Sequence, residues 1–210
     1  MRTPADLRLI VITDATIAAP RAVGDVVRAA LAGGAPAIQL RMKGVSARTM
    51  SETGRALRDL TRAAHASLFV NDRLDVALAI GADGVHLGPD DAPVAAVRGA
   101  TPSGFLIGYS TDRPDVARRA ARDGADYIGC GAVFGTSSKD VGGERIGIER
   151  LDEVARAVPI PVVGIGGIHV GNVREIASTA AAGIAVIGAI MAAADPEAAT
   201  RELLEALAGR

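Results

Sequence analysis

Only 2% of the residues in this 210-residue chain are aromatic, and cysteine occurs once, at Cys130. With a formal net charge of -1 and no block of lysine or arginine, the chain has neither the stacking platform nor the electrostatic footprint of a nucleic-acid binder. A lone cysteine cannot form an internal disulfide and matches no zinc-site spacing. Cys130 lies within an apolar run and reads as a small buried hydrophobe. Long hydrophobic runs are also missing. Stretches such as Gly183 to Ala194 fall short of the roughly 20 residues a membrane helix needs, and MRTPADLR at the start has no signal-peptide apolar region. The expectation is a cytoplasmic protein that binds neither nucleic acid nor membrane, with its oligomeric state, including a homo-oligomer, left open.

The residues that are present describe an ordinary core: 49% are hydrophobic and 22% charged. A chain of this length suits one domain over residues 1–210. Eight short apolar runs recur: LRLIVIT from Leu7, AIQL from Ala37, LFVN from Leu68, GVHL from Gly84, FLIGY from Phe105, YIGCG from Tyr127, PVVGIG from Pro161 and IAVIG from Ile184. Continuous and often β-branched, they read as strands covered on both faces. Segments with helical spacing lie between them, at Ala22–Ala32, Ala47–Ala64, Pro114–Asp123, Glu149–Ala157, Asn172–Ala180 and Pro196–Ala208. This alternation predicts an α/β (β/α)8 barrel of the TIM type. GADGVHLG from Gly81, GADYIGCG from Gly124 and AAGIAVIG from Ala181 look like copies of one βα unit, each turning off a helix into a strand.

In such barrels chemistry sits where strands end, because the βα loops crowd around one mouth. Gln39, Arg41 and Lys43 follow the second strand; Asn71 and Asp72 the third; Asp90 and Asp91 the fourth; Ser110 the fifth; Thr136, Ser138 and Lys139 the sixth; Gly166 and Gly167 the seventh; Ile187 and Gly188 the eighth. Alternation places Gln39, Arg41 and Lys43 on one side and Leu40 and Met42 on the other, which gathers two cations for a polyphosphate. Asp72 and Asp91, from adjacent loops, would repel unless a cation lay between them. Magnesium suits that pair, since it accepts few carboxylates and keeps positions for water and phosphate. The plainer explanation for these aspartates is helix N-capping, and for Arg73 and Asp75 a helix-surface ion pair.

GTSSK does not complete GxxxxGK[ST], and GIGG does not complete GxGxxG, so neither nucleotide motif is present. Thr136, Ser137, Ser138 and Lys139 instead offer hydroxyls and one cation to a leaving group. Gly166, Gly167, Ile187 and Gly188 stand where many barrels bind phosphate through backbone N–H groups, although a tight turn alone would also explain the glycines. His65 reads as part of a polar helical stretch, His169 as a helix opening and His86 as a strand residue; they form neither a triad nor a metal trio.

Taken in order, these segments resemble the thiamine-phosphate synthase family: QLRMK matches its Q-x-R-x-K, FVNDRLDVALAIGADGVHLGPDD its most recognisable block, IGYS its serine loop and VFGTSSK its threonine and lysine loop. The resemblance implies a transferase joining a hydroxymethylpyrimidine diphosphate to a thiazole phosphate, with Mg2+ bound and diphosphate released. Asp72 and Asp91 would hold the metal. The segment Gln39, Leu40, Arg41, Met42 and Lys43, with Asn71 and Lys139, would hold the pyrimidine diphosphate. Ser110 would line the pyrimidine pocket, and Thr136, Ser137 and Ser138 with Gly166, Ile187 and Gly188 would hold the thiazole phosphate. Arg41, Lys43, Ser110 and Lys139 carry the catalytic expectation. The chain departs from the family at Met42, where glutamate is frequent, at Gly135, commonly proline, and at Gly188, often serine. A related thiazole tautomerase would place a histidine shortly after the serine of the fifth loop, and YSTDRP contains none. A non-catalytic barrel that binds a phosphorylated metabolite is the remaining alternative.

Overall fold

A computed structural model describes residues 5–135 and 145–208. The eight apolar runs form eight parallel strands, β1 (Leu9–Ile12), β2 (Ala37–Leu40), β3 (Ser67–Asn71), β4 (Gly84–Leu87), β5 (Leu106–Ser110), β6 (Tyr127–Gly131), β7 (Val162–Ile165) and β8 (Gly183–Val186). They close in sequence order, with β8 pairing back onto β1. The helices are α1 (Ala15–Ala18), α2 (Val23–Ala32), α3 (Ala47–Ala63), α4 (Leu74–Ala79), α5 (Val94–Ala100), α6 (Pro114–Arg122), α7 (Gly147–Ala157), α8 (Val173–Ala177), α9 (Gly188–Met191) and α10 (Pro196–Ala208). The predicted (β/α)8 barrel is therefore the observed fold.

Strand alternation sorts the side chains. On β2, Gln39 turns inward, while Leu40 faces α3, where the absence of a side chain at Gly54 admits it: a Cβ there would lie 3.1 Å from Leu40 Cδ2. The outward residues Ile38, Leu40, Leu68, Val70, Val85, Leu87, Ile107 and Ile128 are wholly buried under the helices. Core burial of this kind, at about 25 cal/mol per Å2 of apolar surface, is what closes the barrel.

Three local readings change. The segment predicted helical to Ala180 is helical only over Val173–Ala177. Ser178 Oγ donates to the Glu175 carbonyl and Thr179 Oγ1 to that of Ile176, both at 2.7 Å, so the hydroxyls take over carbonyls that a further turn would use. His65 is not helical: it follows α3 at φ 54°, the left-handed position that turns the chain out of a helix. His169 likewise lies ahead of α8, where its Nδ1 accepts from the Gly171 N–H and its own N–H donates to Asn172 Oδ1.

Candidate active site

Residues from all eight strands or their immediate ends line one cavity, open at the C-terminal mouth: Gln39, Arg41, Asn71, His86, Ser110 and Tyr127 on its polar side, and Ile10, Ile12, Val163, Ile165, Ala185 and Ile187 among those on its apolar side. A planar, largely apolar ring with a few polar edge atoms fits such a lining.

Arg41 is held before any ligand arrives. Its backbone N–H donates to Thr13 Oγ1 at 2.9 Å, and the same hydroxyl donates to the Arg41 carbonyl at 3.2 Å. Its Nη1 lies 3.2 Å from Asp14 Oδ2. Asp14 in turn caps α1 by accepting from the N–H groups of Thr16 and Ile17. The Arg41 side chain is only 9% exposed, so most of the reorganisation an anion would demand is already done. Thr13 and Asp14 lie in VITDAT, a segment that also resembles the family, although neither was expected in the site.

Asn71 ends β3, and the chain then folds sharply: Asp72 N–H donates to the His86 carbonyl at 2.8 Å and Arg73 N–H to the Asn71 carbonyl at 2.7 Å. Asp72 sits between them at φ 63°, a conformation costing a non-glycine residue about 1–2 kcal/mol. Local strain of this order is typically held where it serves a site. Its carboxyl meets that of Asp91. Loss of hydration, then the Asp91 charge and a hydrogen bond shared with Asp91, raise the Asp72 pKa to about 6, against the opposing charges of Lys43 and Arg41. Asp72 is solvent-exposed, so screening keeps the energetic cost below what the shift alone would imply. One Asp91 oxygen is committed, accepting from the Gly88 N–H at 2.6 Å.

N-capping does not explain these aspartates. The cap positions of α4 and α5 are Arg73 and Pro93, neither with a side-chain cap bond. The Arg73–Asp75 pair is the surface ion pair expected, at 2.6 Å and exposed. Lys43 stands exposed at the rim, close enough to act on Asp72, while Gln39 and Arg41 reach the cavity; the alternation thus holds to Arg41 and the group divides at the mouth. Leu40 and Met42 are packed into the core, Leu40 completely, so the Leu40 side chain is not a ligand contact.

At the opposite side of the mouth, Gly166 and Gly167 have φ of 103° and 66°. A Cβ at Gly166 would fall 2.6 Å from Ala132 Cα, and one at Gly167 2.2 Å from the Gly135 carbonyl oxygen. Packing against the loop after β6 therefore requires glycine at both positions, whatever binds there. Ile187 precedes the first turn of α9, whose far end is held by Arg21 through the Met191 and Ala193 carbonyls. Gly188 has open space where a side chain would project, so the serine frequent in the family would fit. Gly135 stands at φ 81°, a backbone conformation that proline cannot adopt. Thr136, Ser137, Ser138 and Lys139 lie outside the described residues.

Beneath the mouth runs a polar chain that sequence reading missed. His86 Nε2 is 2.8 Å from Ser110 Oγ, and its Nδ1 is 2.9 Å from the Tyr127 hydroxyl, which the Gln39 amide also approaches. Two glycines make room: a Cβ at Gly108 would sit 2.2 Å from Tyr127 Cζ and 2.5 Å from His86 Nδ1, and one at Gly129 3.0 Å from His86 Cε1. The available signal was G-V-H-L on β4 next to strands with glycines at inward positions. Ser110 thus meets a histidine in space although none follows it in the chain. Cys130 is wholly buried, and burial pushes its thiol up to about 12, as befits an inert core residue.

A match to the thiamine monophosphate synthase family covers residues 9–190. The chain belongs to that family. Among its relatives, a thiamine-phosphate synthase of Roseiflexus castenholzii is 52% identical over 95% of this chain and 88% of its own length. One of Natronomonas pharaonis is 47% identical over 97% and 96%. The solved structure of a thiamine phosphate pyrophosphorylase from Pyrococcus furiosus superposes with a TM-score of 0.88 at 45% identity, covering 97% of this chain and 96% of that one. The family match spans all eight strands, and α10 lies beyond it.

Proposed function

We infer that the protein is a thiamine-phosphate synthase, a transferase that joins 4-amino-2-methyl-5-hydroxymethylpyrimidine diphosphate to thiazole phosphate and releases diphosphate. The observation that carries this reading is the meeting of Gln39, Arg41, Asn71 and Ser110 around one cavity whose rim holds the Asp72–Asp91 pair. An apolar cavity takes the pyrimidine ring, and the charged rim takes its diphosphate.

The rim fits a divalent cation. Two carboxyls close enough to share a proton lose their mutual repulsion when a cation lies between them. Among the described residues no third His, Cys, Asp or Glu joins a metal-binding group, which leaves coordination positions for water and diphosphate oxygens, as Mg2+ prefers. Asp72 and Asp91 would hold it, and when bound it would neutralise charge on the departing diphosphate.

The chain's own residues complete the chemistry. Arg41, fixed by Thr13 and Asp14, and Lys43 at the rim stabilise the negative charge that grows as the carbon–oxygen bond breaks. An electron-rich aminopyrimidine can stabilise the resulting methylene cation without a protein nucleophile. Ser110 orients the ring, and the thiazole nitrogen then attacks the exposed carbon. Lys139 and the hydroxyls of Thr136, Ser137 and Ser138 would add contacts to the leaving group and the thiazole phosphate, with Gly166, Ile187 and Gly188 offering backbone donors to that phosphate.

The test is an omission series: purified protein with both substrates, each alone, and both without magnesium, with diphosphate release measured. Release that needs both substrates and the metal is expected. Turnover of thiazole phosphate alone, or binding without turnover, would overturn the reading.

A further inference from the structure

Parallel pairing of β1 with β2 sets Ile12 beside Gln39, and the ladder runs one step further where the Thr13 N–H donates to the Gln39 carbonyl at 2.9 Å. The two residues that follow β1 therefore stand against Arg41, and they divide it between them. Thr13 takes the backbone, accepting from the Arg41 N–H and donating to the Arg41 carbonyl. Asp14 takes the side chain, and its own carboxylate is immobilised. Oδ1 accepts from the N–H groups of Thr16 and Ile17 at 3.0 and 3.1 Å, which leaves Oδ2 to face Arg41 Nη1.

Among the described residues, that contact is the guanidinium's one hydrogen bond, so a well-covered cation keeps most of its donors unspent. Arg58 shows the alternative: its Nη1 and Nη2 both bond to Asp83. On Arg41 the side-on edge of Nε and Nη2 is left over, in a side chain that lines the cavity and whose charge reaches Asp72. Phosphate oxygens match such an edge in pairs, through two parallel bonds. We propose that Asp14 is a positioning residue: by holding Nη1 it turns the side-on edge of Arg41 to the cavity, so that the guanidinium grips two oxygens of a diphosphate. The inference deepens the synthase reading and rests on it for the identity of the ligand. Charge alone argues the other way, since a carboxylate beside Arg41 weakens its pull on an anion and removing it should tighten binding. Orientation outweighs charge here because the Asp14 bond is single and, at 3.2 Å, longer than the roughly 2.7–2.9 Å of a strong charge-assisted bond.

The test is calorimetric titration of the protein with inorganic diphosphate in the presence of Mg2+, which needs no turnover. Asp14→Asn keeps an oxygen for the two N–H groups of α1 and loses the charge; Asp14→Ser also keeps a cap and no longer reaches Nη1. Each is expected to bind diphosphate about tenfold more weakly, with a melting temperature close to the wild type's. In the Arg41→Lys background, which has no side-on edge to aim, Asp14→Asn should change binding by less than about twofold. In turnover, KM for the pyrimidine diphosphate should rise while that for thiazole phosphate stays unchanged. Tighter or unaltered diphosphate binding in either variant, an equal loss in the Arg41→Lys background, or a wild type that does not bind diphosphate would overturn the proposal. The expected binding pattern in a protein that makes no thiamine phosphate would break the reaction assignment and leave the role of Asp14 standing.

Discussion

The two ends of this barrel treat charge in opposite ways. At the floor, where strands begin, Asp83 is gripped by Arg58 through two bonds of 2.6 and 3.1 Å and accepts from the Leu68 N–H at 2.9 Å. The second copy of the same G-A-D unit repeats the device: Asp126 pairs with Arg98 and accepts from the Ile107 N–H. The third copy has Gly183 instead, because a Cβ there would lie 2.1 Å from the Leu7 carbonyl oxygen. At the mouth, Asp72 and Asp91 face each other, and Asp72 is held in a left-handed turn. Paired charges at the floor stabilise the fold; like charges brought together at the mouth are a cost that Lys43 and Arg41 offset in part and that a proton or a bound cation would relieve further.

Substitutions at the two ends should therefore separate stability from activity. The largest effect is expected at the floor. Asp83→Ala leaves the largely covered Arg58 without its carboxylate partner and should cost about 3–5 kcal/mol, lowering the melting temperature by roughly 10 °C, while turnover per folded molecule is unchanged. A variant that melts normally but turns over slowly would erase the contrast. Next comes the layer between the ends. Gly108→Ala should destabilise by about 1–3 kcal/mol through overpacking and also raise KM for the pyrimidine diphosphate, measured by calorimetry and steady-state kinetics.

A smaller, pH-dependent effect belongs to the mouth. The Asp72 carboxyl titrates near 6 in the folded chain against 3.8 for a free aspartate, so the native state holds the extra proton between those values. Stability without metal should fall as pH rises from about 4 to about 6 and stay lower above that. Asp72→Asn removes this component, so its metal-free melting temperature should exceed the wild type's near neutrality and the gap should close toward pH 4. A wild type that instead gained stability through that range relative to the variant would contradict the raised value. Mg2+ affinity should run the other way, weakening as pH falls through about 6, because protons compete for the carboxylate. The smallest effect is expected at Gly188→Ser. Open space awaits the hydroxyl, and one added donor should lower KM for thiazole phosphate about two- to fivefold without altering that for the pyrimidine.

How much of this could be read from sequence follows the range of the interactions. Each of the eight strands overlaps its apolar run, with β3, β5 and β8 reaching one residue beyond it at Ser67, Ser110 and Gly183, since a strand buried on both faces declares itself in four or five consecutive residues. Gln39, Arg41, Asn71, Asp72, Asp91 and Ser110 were legible because strand ends in a barrel converge by construction, and the family pattern named them. The short helices α1, α4, α5 and α9 span four to seven residues, too few for a period of 3.6 to emerge. His86 and Tyr127 looked like ordinary strand residues. Their role depends on which neighbours stand across three strands, and the telling residues are ones without side chains, Gly108 and Gly129. Asp14 escaped for a similar reason: its pairing with Arg41 spans 27 residues.

The most direct test of the paired aspartates as the seat of metal-dependent chemistry is diphosphate release as a function of Mg2+ concentration, with both substrates saturating, in the wild type and in Asp91→Ala. The wild type should show a saturable requirement for the metal, and the variant, with its melting temperature preserved, should lose turnover by at least about a hundredfold. An Asp91→Ala protein that follows the wild-type magnesium curve would contradict it.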